Sequence, residues 1–95
     1  NAVEYIAPRN DEALKPADTN VYYIIGGSVT NSSDADRLLK KLKRQGFDNA
    51  VVLPINKKGN IRVAYDAVMG KDAAVAKMEM IKRDFNNAAW LLRKK

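Results

Sequence analysis

Two stretches of helical apolar spacing, separated by two runs of strand pattern and flanked by one more strand run at each end, leave this chain few folds to choose from. Val21 to Val29 reads VYYIIGGSV, β-branched and aromatic and bounded by polar turn residues, and it predicts a strand buried on at least one face. Ala35, Leu38, Leu39 and Leu42 then fall on one face of a helix. Ser33 is its expected N-cap, with Asp36 three residues on in the capping-box position. Lys40, Lys41, Lys43 and Arg44 crowd the last turns, where the helix dipole favours cations, and Gly46 supplies a left-handed cap.

Ala50 to Ile55 predicts a second strand. Pro54 removes a ladder donor within it, which places it at a sheet edge. Asn56 to Gly59 makes a short hairpin loop, after which Ile61, Val63 and Tyr65 alternate with polar or small residues as a third strand. Ala74, Met78, Ile81 and Phe85 define a second helix from Lys71 to about Asn86, and Ala88 to Leu92 closes as a fourth strand. The order β, α, β, β, α, β predicts an α+β fold of the ferredoxin or RNP-like kind. It has a four-stranded antiparallel sheet with both helices on one face. The other face is left open as a binding surface.

A chain of 95 residues fits one domain. It has no cysteine and no histidine, which removes thiol nucleophiles, imidazole bases and the usual zinc and haem ligands, so no metal or cofactor is expected. The carboxylates are dispersed: Asp34 and Asp36 lie at a helix start, Asp66 and Asp72 around a loop. No acid/base pair is indicated, and the chain reads as a binding module and not an enzyme. No apolar run approaches the length that spans a bilayer, so no membrane contact by this fragment is expected. Because the sequence begins at Asn1 without methionine, it is expected to be a piece of a longer chain.

Residues 1–20, with two prolines and no periodicity, read as a flexible N-terminal linker, and residues 21–95 as the domain. The net charge of +6 is uneven between these parts. The linker holds two basic and four acidic side chains, leaving fifteen basic against seven acidic, a surplus of eight, on the domain. Such a balance favours polyanionic partners without naming one.

The segment KGNIRVAY, Lys58 to Tyr65, partly fits the third-strand motif of RNA-recognition folds. The ring positions that stack bases are filled by Asn60 and Arg62, so the sheet lacks the aromatic surface such modules use, and no nucleic-acid partner is expected. Five other segments, in order, are YYIIGGSV, LLKKLKRQGF, GNIRVAYDAV, GKDAAVAKMEMIK and AAWLL. Together, from Val21 to Leu92, they resemble the SPOR domain, the sporulation-related repeat of bacterial cell-envelope and division proteins.

The resemblance implies binding of peptidoglycan, in particular glycan strands stripped of their stem peptides, on the open sheet face. It also implies a place in the periplasm or envelope at the division septum. Carried over by position, the glycan contacts fall at Ile25, Ser28, Asn60, Arg62 and Trp90. Family members often have glutamine at the position of Ile25 and an aromatic residue at that of Asn60.

The residue types suit the ligand on their own chemistry. A sugar ring packs its apolar face on an aromatic plane and needs donors and acceptors for its hydroxyls, a role open to Trp90, Tyr23, Ser28 and Asn60. A muramic acid freed of its peptide carries a carboxylate that the Arg62 guanidinium would hold through two parallel hydrogen bonds. Each residue also has a plain structural role open to it: Trp90 as a lid on the core, Tyr23 as a cross-strand neighbour, Arg62 as the partner of Asp66. An RNA-binding or protein-interaction module on the same sheet stands as the alternative.

Overall fold

The computed structural model describes residues 18–94. Strand β1 (Val21–Val29) is followed by helix α1 (Ser32–Arg44), strands β2 (Val51–Val52) and β3 (Ile61–Met69), helix α2 (Lys71–Asp84) and strand β4 (Trp90–Arg93). The strands form one sheet in the order β2-β3-β1-β4, with every neighbouring pair antiparallel. This is the expected α+β, RNP-like βαββαβ arrangement.

The pairing of β1 with β3 is irregular at its centre, and the irregularity aims the side chains. Ile24 lies opposite Asp66, Ile25 opposite Ala64 and Gly27 opposite Val63, so Tyr65 on β3 and Gly26 on β1 are each left without a partner. Each extra residue puts two consecutive positions on the helix side. Tyr65 and Asp66 both turn that way, Tyr65 into the core and Asp66 to Lys77 of α2. Gly26 and Gly27 do the same on β1. A Cβ on Gly27 would stand 2.6 Å from Leu38 Cδ2, and one on Gly26 would stand 2.9 Å from Tyr65 Cε2. The two glycines let α1 lie close against the strand.

The main core fills the space between helices and sheet. Ile24, Val63 and Tyr65 from the sheet meet Ala35 and Leu42 of α1 and Ile81 of α2, with Leu38, Leu39, Met78 and Leu91 packed around them. Burying these apolar faces is the dominant favourable term in forming the domain. Phe47 stands edge-on to Tyr65 at 4.7 Å and to Phe85 at 4.9 Å, joining the segments that follow the two helices. A smaller cluster of Ile25, Leu53 and Ala64, flanked by Tyr23 and Leu92, sits on the helix-free side.

Several boundaries differ from the sequence expectation, each for a local reason. Helix α1 is capped by Asn31 and not Ser33: Asn31 Oδ1 accepts from the Asp34 N–H at 2.9 Å, and the Asn31 amide donates to Asp34 Oδ2 at 3.0 Å. The reciprocal pair is Asn31 with Asp34, two residues upstream of the expected Ser33 with Asp36. Gly46 has φ 102° just beyond the helix, the left-handed cap expected there. Strand β2 is two residues long and not six, because beyond the Leu53 N–H, which donates to the Arg62 carbonyl at 2.9 Å, Pro54 offers no donor. It does lie at the sheet edge. Strand β4 starts at Trp90, since the N–H groups of Ala88 and Ala89 are taken by the Asn86 side chain at 3.0 Å and its carbonyl at 3.1 Å.

The N-terminal linker expectation lies outside the described residues as far as residue 17. Asp18 to Asn20 are bonded to the domain. Asp18 Oδ2 accepts from the Lys71 N–H at 2.8 Å, and the Asn20 carbonyl accepts from the Gly70 N–H at 2.9 Å. Gly70, at φ 89°, has no side chain with which to cap α2, and Asp18 supplies the missing acceptor from a distant part of the chain.

Candidate functional site

The helix-free face is built by alternation along the two central strands and their edge partners. Tyr23, Ile25 and Ser28 of β1 face it, opposite Ala67, Ala64 and Arg62 of β3. On the far side of β1, β4 places Leu92 beside Tyr23 and Trp90 beside Ile25. On the far side of β3, Val51 stands opposite Ala64. The small side chain of Ala64 leaves the middle of the face low, and Ile25 and Ala64 there have no exposed surface.

A cavity of about 440 Å³ opens on this face, lined by Tyr23, Leu53, Pro54, Arg62, Leu92, Arg93 and Lys94. Arg62 sits opposite Ser28, while Tyr23 and Leu92 pair further along β1. A cavity shared by both sets has the Arg62 side chain extended along the strand. Its walls combine apolar surface from Leu53, Pro54, Leu92 and the Tyr23 ring with three cations. Such a mixture suits an anionic group carried on a carbon skeleton.

Arg62 is the distinctive member. Its Nε is buried and has no hydrogen-bond acceptor among the described residues. The proposed structural partner is engaged elsewhere: Asp66 is buried on the other side of the sheet, where its Oδ2 accepts from Lys77 Nζ and its Oδ1 from the Ala67 N–H at 2.7 Å. A buried guanidinium N–H without an acceptor carries a desolvation penalty that a bound anion would relieve.

The remaining sequence candidates, Trp90, Ser28, Asn60 and Ile25, do not line this cavity. Trp90 is 42% exposed, with an accessible ring at the edge of the face, and is no lid on the main core. Ser28 is exposed beside Arg62. Asn60 is partly buried at the end of the hairpin, where its N–H donates to Asn56 Oδ1 at 2.9 Å and its carbonyl accepts from the Asn56 N–H at 2.9 Å, leaving its side chain uncommitted. Ile25 faces the site yet lies wholly beneath the surface, so it forms the floor and not a contact.

Sequence reasoning did not single out Leu53, Pro54, Arg93 or Lys94 as lining the site. Lys94 was legible, because alternation from Trp90 through Leu92 reaches it on the same face. Leu53 was hidden by the short β2, whose pairing decides which way it points.

The family model of the SPOR domain matches residues 18–93, beginning at the residue that caps α2. No curated protein and no solved structure matches the chain. The chain therefore belongs to the SPOR domain family, non-catalytic peptidoglycan-binding modules found in periplasmic or envelope division proteins.

Proposed function

We propose that the helix-free face binds peptidoglycan glycan strands whose stem peptides have been removed, and that it thereby directs its parent protein to the division septum. The observation that carries this reading is the Arg62 guanidinium, which has no carboxylate partner among the described residues and lines a cavity with apolar walls and two further cations, Arg93 and Lys94. Removing a stem peptide converts a muramic acid lactyl amide into a free carboxylate, which accepts two parallel hydrogen bonds from one guanidinium. An intact strand presents a neutral amide at the same point and leaves the buried N–H with a poorer acceptor. Tyr23 and Trp90 offer aromatic surface for sugar faces, and Ser28 and Asn60 offer polar groups for sugar hydroxyls. Ile25 sets the floor beneath them.

Sedimentation of the chain with purified sacculi, before and after amidase digestion, tests the proposal, with an RNA homopolymer as control. Digested sacculi are expected to retain far more protein than intact ones. Arg62→Ala should remove that preference, and Arg62→Lys should restore little of it, since an ammonium lacks the planar fork. A preference that survives Arg62→Ala overturns the assignment, and retention by RNA at the level of digested sacculi overturns the ligand class.

A further inference from the structure

The glycan site uses one face of the sheet, yet the densest positive charge lies on the opposite side of the molecule. From residue 37 to residue 47 the sequence RLLKKLKRQGF contains five cations and no carboxylate. Leu38, Leu39 and Leu42 of this stretch pack inward on the core. At about 100° per residue, that orientation sends Lys40, Lys41, Lys43 and Arg44 outward, and all four are exposed. The ring contact of Phe47 with Phe85 joins the C-terminal ends of the two helices, so exposed Lys82 in the last turn of α2 belongs to the same side.

Favourable placement at a helix C-terminus accounts for part of this charge. It does not account for the absence of ion pairs at these positions among the described residues, although Asp36 and Asp48 flank the stretch. Among the described residues the ion pairs are Arg37 with Asp34, Lys77 with Asp66 and Arg83 with Asp84. None involves Lys40, Lys41, Lys43, Arg44 or Lys82. Lys40, Lys41, Lys43 and Arg44 form an exposed array on α1, and no aromatic side chain is interleaved with them on that helix. That composition does not suit a stacked nucleic-acid base. It fits an extended polyanion lying across it.

We infer that this helical side is a second wall-contacting surface, which engages the carboxylates of a peptidoglycan strand neighbouring the one held by the sheet. The inference rests on the sheet-face reading, since that capture places the module inside the wall. Charge complementarity supplies the rest: uncleaved stem peptides carry carboxylates, and the array presents cations that have no ion-pair partner among the described residues, on the side away from the captured strand. Two weak contacts on opposite sides of one rigid domain make the second an intramolecular event and raise avidity without a new pocket. Exposed pairs of this kind are screened by salt, so the second contact is a low-salt effect.

The test compares the chain with the variant Lys40→Gln/Lys41→Gln/Lys43→Gln/Arg44→Gln, substituted only at exposed positions. Three probes are used: soluble stripped glycan oligosaccharides, sacculi freed of phosphate polymers, and vesicles containing anionic phospholipid. Each exposed pair contributes about a 2-fold factor, so sacculus binding at low salt should weaken on the order of 10-fold in the variant. Binding to the soluble oligosaccharide should be unchanged, and the sacculus difference should disappear at high salt.

Unchanged sacculus affinity overturns the inference, as does an equal loss on the soluble oligosaccharide. Vesicle binding as strong as sacculus binding also overturns it, because the array would then be reading a bilayer. Failure of the sheet-face reading looks different: the unsubstituted chain would not bind the soluble oligosaccharide.

Discussion

The Asn86 side-chain amide donates a hydrogen bond to the Gly26 carbonyl at 3.0 Å, tying the turn after α2 to the irregular centre of β1 across sixty residues of sequence. Gly26 is the residue of β1 skipped by the ladder with β3, and its carbonyl accepts this side-chain bond. The same Asn86 accepts from the N–H of Ala88 and thereby sets the start of β4. Trp90 is brought to the helix-free face from that point.

Asn86→Ala should therefore destabilise the domain by about 1 kcal/mol, the net value of one hydrogen bond, since the bond is only partly buried. Urea denaturation with an unchanged slope would read this as a loss of stability and not of compactness. Binding of stripped glycan should fall as well, because the path of β4 shifts with the turn.

The two glycines of β1 should respond differently to a methyl group. At Gly26 the added carbon meets the Tyr65 ring at 2.9 and 3.2 Å, and that ring is held by Phe47. At Gly27 it meets only the far end of Leu38, with one atom at 2.6 Å and the next at 4.0 Å. Gly26→Ala is expected to lose about 1–3 kcal/mol through overpacking, and Gly27→Ala less, since Leu38 has another rotamer open to it. Equal melting temperatures for the two variants would contradict this ordering.

Asp18 gives the domain an acid-sensitive fastening. The Lys71 backbone N–H, followed by that of Asn20, holds its carboxyl below the usual carboxylate range. A depressed carboxyl contributes stability that is fully present above its unfolded value and is lost as pH falls through its folded value. Asp18→Ala should lower the melting temperature at neutral pH, and the gap from the unsubstituted chain should close on the acid side. A gap that is constant with pH would show that the carboxylate charge is irrelevant to the cap.

Lys77 and Asp66 form the ion pair that closes the helix side of the β3 irregularity. Asp66 is buried while Lys77 is 37% exposed, so the pair is partly screened. Lys77→Ala should lower stability by roughly 1–2 kcal/mol, less than a fully buried pair, because solvent reaches the vacated position. Glycan binding should be unaffected, which a titration with stripped oligosaccharide would check.

If the helix-free face holds the glycan as proposed, Trp90→Ala should weaken binding more than Ser28→Ala. An exposed aromatic plane contributes contact area that one hydroxyl does not, and about a 10-fold loss or more in Kd is expected for the tryptophan. Equal effects of the two substitutions on Kd would place the sugar rings away from β4.

The topology and the composition of the face were legible because both follow from periodicity: apolar spacing marked the helices, and alternation on β1, β3 and β4 marked which side chains share a side. What periodicity could not show is where it breaks. The paired irregularities around Gly26 and Tyr65 bring two successive residues to one face, and no count of alternate positions predicts that. For the same reason Asp66 read as a plausible partner for Arg62, although the register turns it to α2. Asp18 was read as linker because a helix cap supplied from a distance leaves no local pattern. Leu53 and Pro54 became part of the site through the brevity of β2, a tertiary outcome of a single ladder.

That brevity reaches beyond the site. With Val51 and Val52 as the whole of the outer strand and Pro54 two residues on, the β2 margin offers almost no row of free backbone groups to another sheet. A second copy of the module therefore finds no template for strand addition along that margin of the sheet.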